Sequence, residues 1–161
     1  MSLNPPCFTQ EDHRYMGVAL ELAQDAARNG EVPVGAVLVR DNHIICGAAN
    51  MPINEYDMTA HAEICALRNA GRMLGNYRLP GCTLYVTLEP CCMCAGAIIH
   101  ARLARVVFAA SDPRTGAAGS QFNLLPNPAH NHQPIVEGGL RADESAAILK
   151  AFFARKRENK R

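Results

Sequence analysis

His61-Ala62-Glu63 and Pro90-Cys91-Cys92-Met93-Cys94 bring together three metal-binding side chains and one carboxylate. One imidazole and two thiolates can hold a zinc ion while leaving its fourth tetrahedral position open for water, which is how a catalytic site is built; a structural site closes with a fourth protein ligand. Cys91 and Cys94 stand three residues apart, so at the start of a helix they share a face. The positive end of that helix favours thiolate over thiol. Two thiolates cancel the formal charge of zinc, and helix dipoles aimed at the sulfurs offset part of the lost Lewis acidity. Glu63, two residues beyond His61, can take a proton from the water without being a ligand. Hydrolysis by such a water needs a proton taken from it, and protons given to the electrophile and to the leaving group. One carboxylate beside the water can carry all those protons.

Other readings of these residues explain less. A redox Cys-x-x-Cys has no use for His61 and Glu63. A zinc knuckle requires a second Cys-x-x-Cys or a paired histidine, yet Cys7, Cys46, Cys65 and Cys82 are scattered singly. Cys92 points away from its neighbours on a helix and reads as a packed core thiol. His130 and His132, in a loop, read as solvated side chains or as a metal or phosphate contact. Gly116-Ala117-Ala118-Gly119-Ser120 is glycine-rich but lacks the Lys-Ser/Thr ending of a nucleotide-binding loop, so no nucleotide cofactor is expected. His13, His43 and His100 carry no motif.

These residues need elements to position them. Thr9 and Asp12 make a capping box before Tyr15, Ala19, Leu22 and Ala26, which recur at helical spacing until Gly30 stops the run. Val34–Val39 is a buried strand, and the Asp41-Asn42 turn leads into a second near Ile44–Cys46. A loop over 50–57 precedes a helix from about Ala60 to Leu74. Thr83–Leu88 is the clearest strand, and Pro90 is expected to open a helix from about Cys91 to Ala101. Val106–Ala109 is a strand, 111–134 a long loop, and Ile135–Glu137 a short strand. A last helix from about Asp143 has an acidic start and basic end matching its dipole. Ile148 with Phe152, and Leu149 with Phe153, put apolar pairs on its inward face. Alternating helices and strands indicate an α/β protein layered around a mixed sheet.

The chain has 161 residues and is 48% hydrophobic, enough to bury one core, so a single domain spanning 1–161 is expected. No apolar run approaches a membrane span, and the first residues, 1–6, do not read as a secretory leader. Cysteines used as ligands and core residues suit a reducing cytoplasm. Net charge is only +1, but residues 141–161 hold seven basic and three acidic side chains. That tail is either a solvated helix face or a contact for phosphates.

The His-x-Glu…Pro-Cys-x-x-Cys pattern is that of zinc-dependent nucleobase deaminases. From about Thr9 to Arg157 the chain resembles the bacterial tRNA-specific adenosine deaminases in particular. The similarity runs through Glu31–Val37, Thr59–Glu63, Tyr77-Arg78-Leu79, Thr83–Cys94 and Ala95–His100. Asp112, Thr115–Ser120 and Phe152-Phe153 with Arg155 narrow it, because the zinc motifs are common to the whole superfamily. The resemblance implies a cytidine-deaminase-like fold, three-layer α/β/α with a central mixed five-stranded sheet, assembled as a homodimer. It implies one Zn2+ per chain and hydrolysis of the wobble adenosine of a tRNA anticodon to inosine, releasing ammonia. It further implies that Asn50 holds the target nucleotide, Val34 packs on the base and the Ala62 backbone reads the purine. Asp112, Arg114, Phe153 and Arg155 are the expected contacts to the anticodon stem-loop. A small-molecule deaminase on the same scaffold would not need the Thr115–Ser120 loop and basic tail, and a non-enzymatic RNA-binding module would not need Glu63. Cys92, the segment Pro126–His130 and Pro113 depart from the family pattern.

Overall fold

In the computed structural model, which describes residues 6–160, the chain forms a mixed five-stranded sheet between two layers of helices. Helix α1 (Gln10–Arg28) begins with the expected reciprocal cap: the Asp12 amide donates to Thr9 Oγ1 at 3.1 Å, and the Thr9 amide donates to Asp12 Oδ2 at 3.0 Å. Strands β1 (Gly35–Arg40) and β2 (His43–Ala49) form an antiparallel hairpin. Asp41 and Asn42 both take positive φ, 52° and 60°, the backbone that a tight two-residue hairpin turn demands. The segment expected to be a loop contains a one-turn helix, α2 (Pro52–Glu55), opened by its proline. Then come α3 (Ala62–Leu74), β3 (Thr83–Leu88), α4 (Cys92–His100), β4 (Arg105–Ala110), β5 (Ile135–Gly138) and α5 (Ala142–Glu158).

Strand order is β2-β1-β3-β4-β5, with β3 antiparallel to β1 but parallel to β4, and β4 parallel to β5. Side chains alternate across the sheet as a two-residue period requires. Ala36, Leu38, Leu84, Val86, Val106 and Phe108 pack with Ala66, Leu67, Ile98 and Ile99 of α3 and α4. Val37, Val39, Tyr85, Val107 and Ala109 pack with Tyr15, Met16, Ala19 and Leu20 of α1. The approach of α1 is close enough that a Cβ on Gly35 would overlap the Ala19 carbonyl. No helix among the described residues is long and apolar enough to cross a membrane. Residues 1–5, read above for a leader, lie outside those described.

Two expectations are corrected. Pro90 does not open α4, which starts at Cys92; Cys91 is its N-cap, in extended conformation (φ −77°, ψ 176°), so its side chain precedes the first helical turn. Helix α5 buries little of its presumed inward face: Ser145 is its one fully buried residue and Phe153 is 41% exposed. Ile148 packs toward the core, whereas Leu149 and Phe153 line an open groove.

Candidate active site

The sheet leaves its working residues along one edge. Strand β1 begins just after Val34, β2 ends just before Asn50, β3 ends at Leu88 and β4 at Ala110. There the N-termini of α3 and α4 converge, with His61 as one N-cap and Cys91 as the other. His61 Nδ1 lies 3.7 Å from Cys91 Sγ and 3.6 Å from Cys94 Sγ, and all three donor atoms lie within 4.8 Å of one another. Tetrahedral zinc, with Zn–S of about 2.3 Å and Zn–N of about 2.0–2.1 Å, sets an N···S edge of about 3.6 Å. Both N···S distances therefore match the spacing that zinc requires, and the imidazole offers Nδ1. The Cys94 thiol donates to Cys91 and, with His61, pulls the Cys91 thiol down to about 4. The same contact with Cys91, together with burial, pushes Cys94 up. Contact with Cys91 raises His61 despite the opposing effect of its burial.

Val32, Val34, Asn50, His61, Glu63, Leu88, Glu89, Cys91, Asp112 and Thr115 line a cavity of about 170 Å³. Glu63, in the first turn of α3, is 4% exposed, and burial raises its pKa. A carboxyl group poised in this way beside a metal site can both take up and return a proton. Ala62 is fully buried between His61 and Glu63.

A second, larger groove of about 650 Å³ shares Val32, Leu88, Asp112 and Thr115 with this cavity. It continues past Pro113 and Arg114 to Leu149, Lys150, Phe153 and Arg157 of α5. Arg114 and Phe153 thus line one groove together. Arg155 is exposed but falls outside the groove lining, in which Arg114, Lys150 and Arg157 supply the positive charge. The Asp112 carboxylate is engaged locally, accepting from the Arg114 amide at 3.0 Å and the Thr115 hydroxyl at 2.8 Å.

Cys92 is exposed rather than packed in the core, because Cys91 and Cys94 take the inward positions at the start of α4. The loop histidines are tethers: His130 Nε2 lies 2.9 Å from the Leu124 carbonyl and His132 Nε2 2.6 Å from that of Leu103. His13, His43 and His100 are exposed. Two buried carboxylates at the site carry no motif and escaped the sequence reading. Glu31 accepts from the amides of Ile53 (3.2 Å) and Asn54 (2.8 Å) and from the Asn54 side chain, capping α2 just beyond Asn50. Glu89 binds the opposite loop.

Donor set, buried carboxylate and sheet edge together define a zinc-dependent deaminase. Residues 9–110 match the cytidine and deoxycytidylate deaminase zinc-binding region. The chain is 52% identical over 151 residues to a tRNA-specific adenosine deaminase of Haemophilus influenzae, covering 93% of this chain and 87% of that protein. It is 45% identical to the Bacillus subtilis protein of the same name, covering 94% of each. A solved structure from work on A-to-I editing by tRNA:A34 deaminases at the wobble position superposes with a TM-score of 0.82 at 47% identity, covering 84% of this chain and 99% of that one. The chain belongs to the cytidine and deoxycytidylate deaminase family and, within it, to the tRNA-specific adenosine deaminases.

Proposed function

We infer that this chain hydrolyses the wobble adenosine of a tRNA anticodon to inosine, releasing ammonia, with Glu63 as the proton shuttle. The carrying observation is the buried Glu63 carboxylate in one small cavity with His61, Cys91 and Asn50. His61, Cys91 and Cys94 hold the zinc, which supplies the Lewis acidity that makes water a nucleophile near neutral pH. Glu63 moves protons to the purine ring nitrogen and the leaving amine. Val34 packs on the base, Asn50 holds its nucleotide and the Ala62 backbone reads its edge. An anticodon loop offers an unstacked base that can enter so narrow a cavity at modest cost.

The flanking nucleotides are assigned to the adjoining groove, where Phe153 offers a stacking face and Arg114, Lys150 and Arg157 offer charge. Asp112 shapes the groove mouth, and Arg155 reaches phosphates from its rim. A homodimer is supported by a separate, largely apolar groove of about 720 Å³ on α3 and α4, lined by Ile64, Leu67, Leu79 and Ala97 and flanked by Tyr77, 74% exposed. A cytoplasmic location suits ligand thiols that must stay reduced.

Glu63→Gln keeps the shape of the side chain and removes its basicity. The variant should retain zinc and stem-loop affinity while single-turnover inosine formation falls at least about 10²-fold. Near-normal turnover would reject the shuttle. Free adenosine should react poorly, because it cannot recruit binding energy from flanking nucleotides; rapid turnover of free guanine with no inosine in the stem-loop would point to a small-molecule deaminase.

A further inference from the structure

We propose that Glu89 is a positioning residue for this reaction, coupling the strand end that carries the zinc ligand Cys91 to the loop that walls the base cavity. Glu89 is 2% exposed and stands between Leu88, the last residue of β3, and Pro90-Cys91. Its carboxylate is held by the loop following β4, at the wall of the cavity that His61 and Cys91 also line. Oε1 accepts from the Asp112 amide at 3.1 Å and from the Ser120 hydroxyl; Oε2 accepts from the amides of Ala118 at 2.9 Å and Ser120 at 3.2 Å. Four donors from nine residues of irregular chain thus converge on one side chain. Neighbouring backbone bonds reinforce them: Ala117 donates to the Pro90 carbonyl at 2.8 Å and Glu89 to the Ala110 carbonyl at 2.8 Å. The loop wraps so closely that a Cβ on Gly116 would overlap the Glu89 carboxylate.

The loop has no regular structure apart from a single bridge between Ala118 and Asn123; backbone turns such as Gly116 N–H to the Asp112 carbonyl at 2.9 Å shape it, and the Glu89 carboxylate ties those turns to the end of β3. Asp112 and Thr115 line the base cavity, and Asp112, Pro113, Arg114 and Thr115 line the adjoining groove. An acceptor that fixes 112, 118 and 120 therefore sets the width of the cavity mouth before substrate arrives, lowering the ordering cost of binding. The position demands a carboxylate. A glutamine would put its NH2 group against two of the four donors, where it cannot accept, and leave at least one backbone amide unpaired.

The test uses the full-length zinc enzyme. Glu89→Gln should keep one zinc per chain and speed hydrogen exchange at Asp112, Ala118 and Ser120. Its KM for a wobble-adenosine stem-loop should rise by about tenfold, the equivalent of one charge-assisted hydrogen bond felt in binding. The single-turnover rate at saturation should fall by much less, a split that general destabilisation does not produce. Ser120→Ala, at an exposed position, removes only the hydroxyl donor and decides the matter if the glutamine variant fails to fold. It should raise KM by about threefold, with faster exchange at the same amides. An unchanged KM, or unchanged exchange at those amides, in the folded variant overturns the proposal.

Discussion

Asp12 lies far from the chemistry and should control stability without touching turnover. It is buried at the start of α1 and accepts from Tyr85 Oη at 2.6 Å and from Arg105 at 2.8 and 3.1 Å, in addition to its capping bond. Arg105, 22% exposed, also donates to Glu137 at 2.6 Å. Asp12→Asn preserves shape but leaves the guanidinium with one partner. Removing one member of a buried pair costs about 3–5 kcal/mol. Glu137 and partial exposure keep Arg105 partly compensated, so the loss should fall near the lower bound, about 3 kcal/mol. For a chain of this length that lowers Tm by about 6–12 °C, and a protein stable by about 5–15 kcal/mol stays folded at 25 °C. Burial alone would raise the Asp12 pKa, but the bonds from Arg105, Tyr85 and Thr9 outweigh it and hold the group well below the usual carboxylate range. A depressed folded pKa gives stability that is complete above the unfolded value of about 3.9 and fades as pH falls toward the folded one. Urea midpoints of wild type and variant should therefore differ fully at pH 7 and converge progressively below about pH 4. Acid release of zinc affects both proteins alike and cancels in the difference. Stem-loop kcat/KM at 25 °C should stay within about twofold, because Arg105 and Ala110 stand at opposite ends of β4, roughly 16 Å apart. A loss below about 1 kcal/mol, a gap that persists unchanged into acid, or impaired turnover in a fully folded variant would refute the reasoning.

The metal assignment predicts that Cys91→Ala loses zinc and inosine formation together, whereas Cys92→Ala keeps one zinc per chain by elemental analysis; the reverse pattern would mean the wrong thiol. Glu31→Gln should raise the stem-loop Kd several-fold and cost about 1–2 kcal/mol of stability, since it removes a buried charged cap from α2. Titration calorimetry in the Glu63→Gln background measures binding without turnover, and an unchanged Kd would separate α2 from substrate capture.

The metal donors were legible because chemistry forces residue type and spacing together: nothing replaces His61, Cys91 and Cys94 while keeping their function. The strands and α1 were legible because burial on two faces leaves runs such as Val34–Val39, and because the Thr9–Asp12 box marks a helix start by its own hydrogen bonds. Helix α2 was not, because four residues carry no period; it exists through Glu31, a long-range cap. The burial of α5 was overestimated since an apolar pair at helical spacing looks alike whether it faces a core or a groove. Cys92 was rightly set apart from the metal donors but wrongly placed in the core, because spacing on a helix shows that a side chain points away from its neighbours and not whether solvent or packing lies there. Glu89 was invisible because its partners, the amides of 112, 118 and 120, have no side-chain signature.

The sheet separates two tasks that a single buried site would set against each other. At the edge where β3 and β4 begin, Asp12, Tyr85, Arg105 and Glu137 satisfy one another, and no buried side-chain nitrogen or oxygen among the described residues lacks a partner. At the edge where those strands end, Glu63 is buried at an energetic cost that its raised pKa records. The parallel pairing of β3 with β4 makes this possible, since both strands deliver their C-terminal loops, 89–91 and 111–120, to the same edge. The antiparallel β1 adds its N-terminal side there, with Val34, and β2 its C-terminal side, with Asn50. Site residues thus come from strand-end loops and from the first turns of α3 and α4, over the packed strands β1, β3 and β4. That packing lets the loops carry buried carboxylates such as Glu31 and Glu89, whose partners are amides rather than cations. A carboxylate held by amides needs no lysine or arginine beside it, and none is among the residues lining the cavity, which leaves the electrophile's place to the ion that His61, Cys91 and Cys94 would hold.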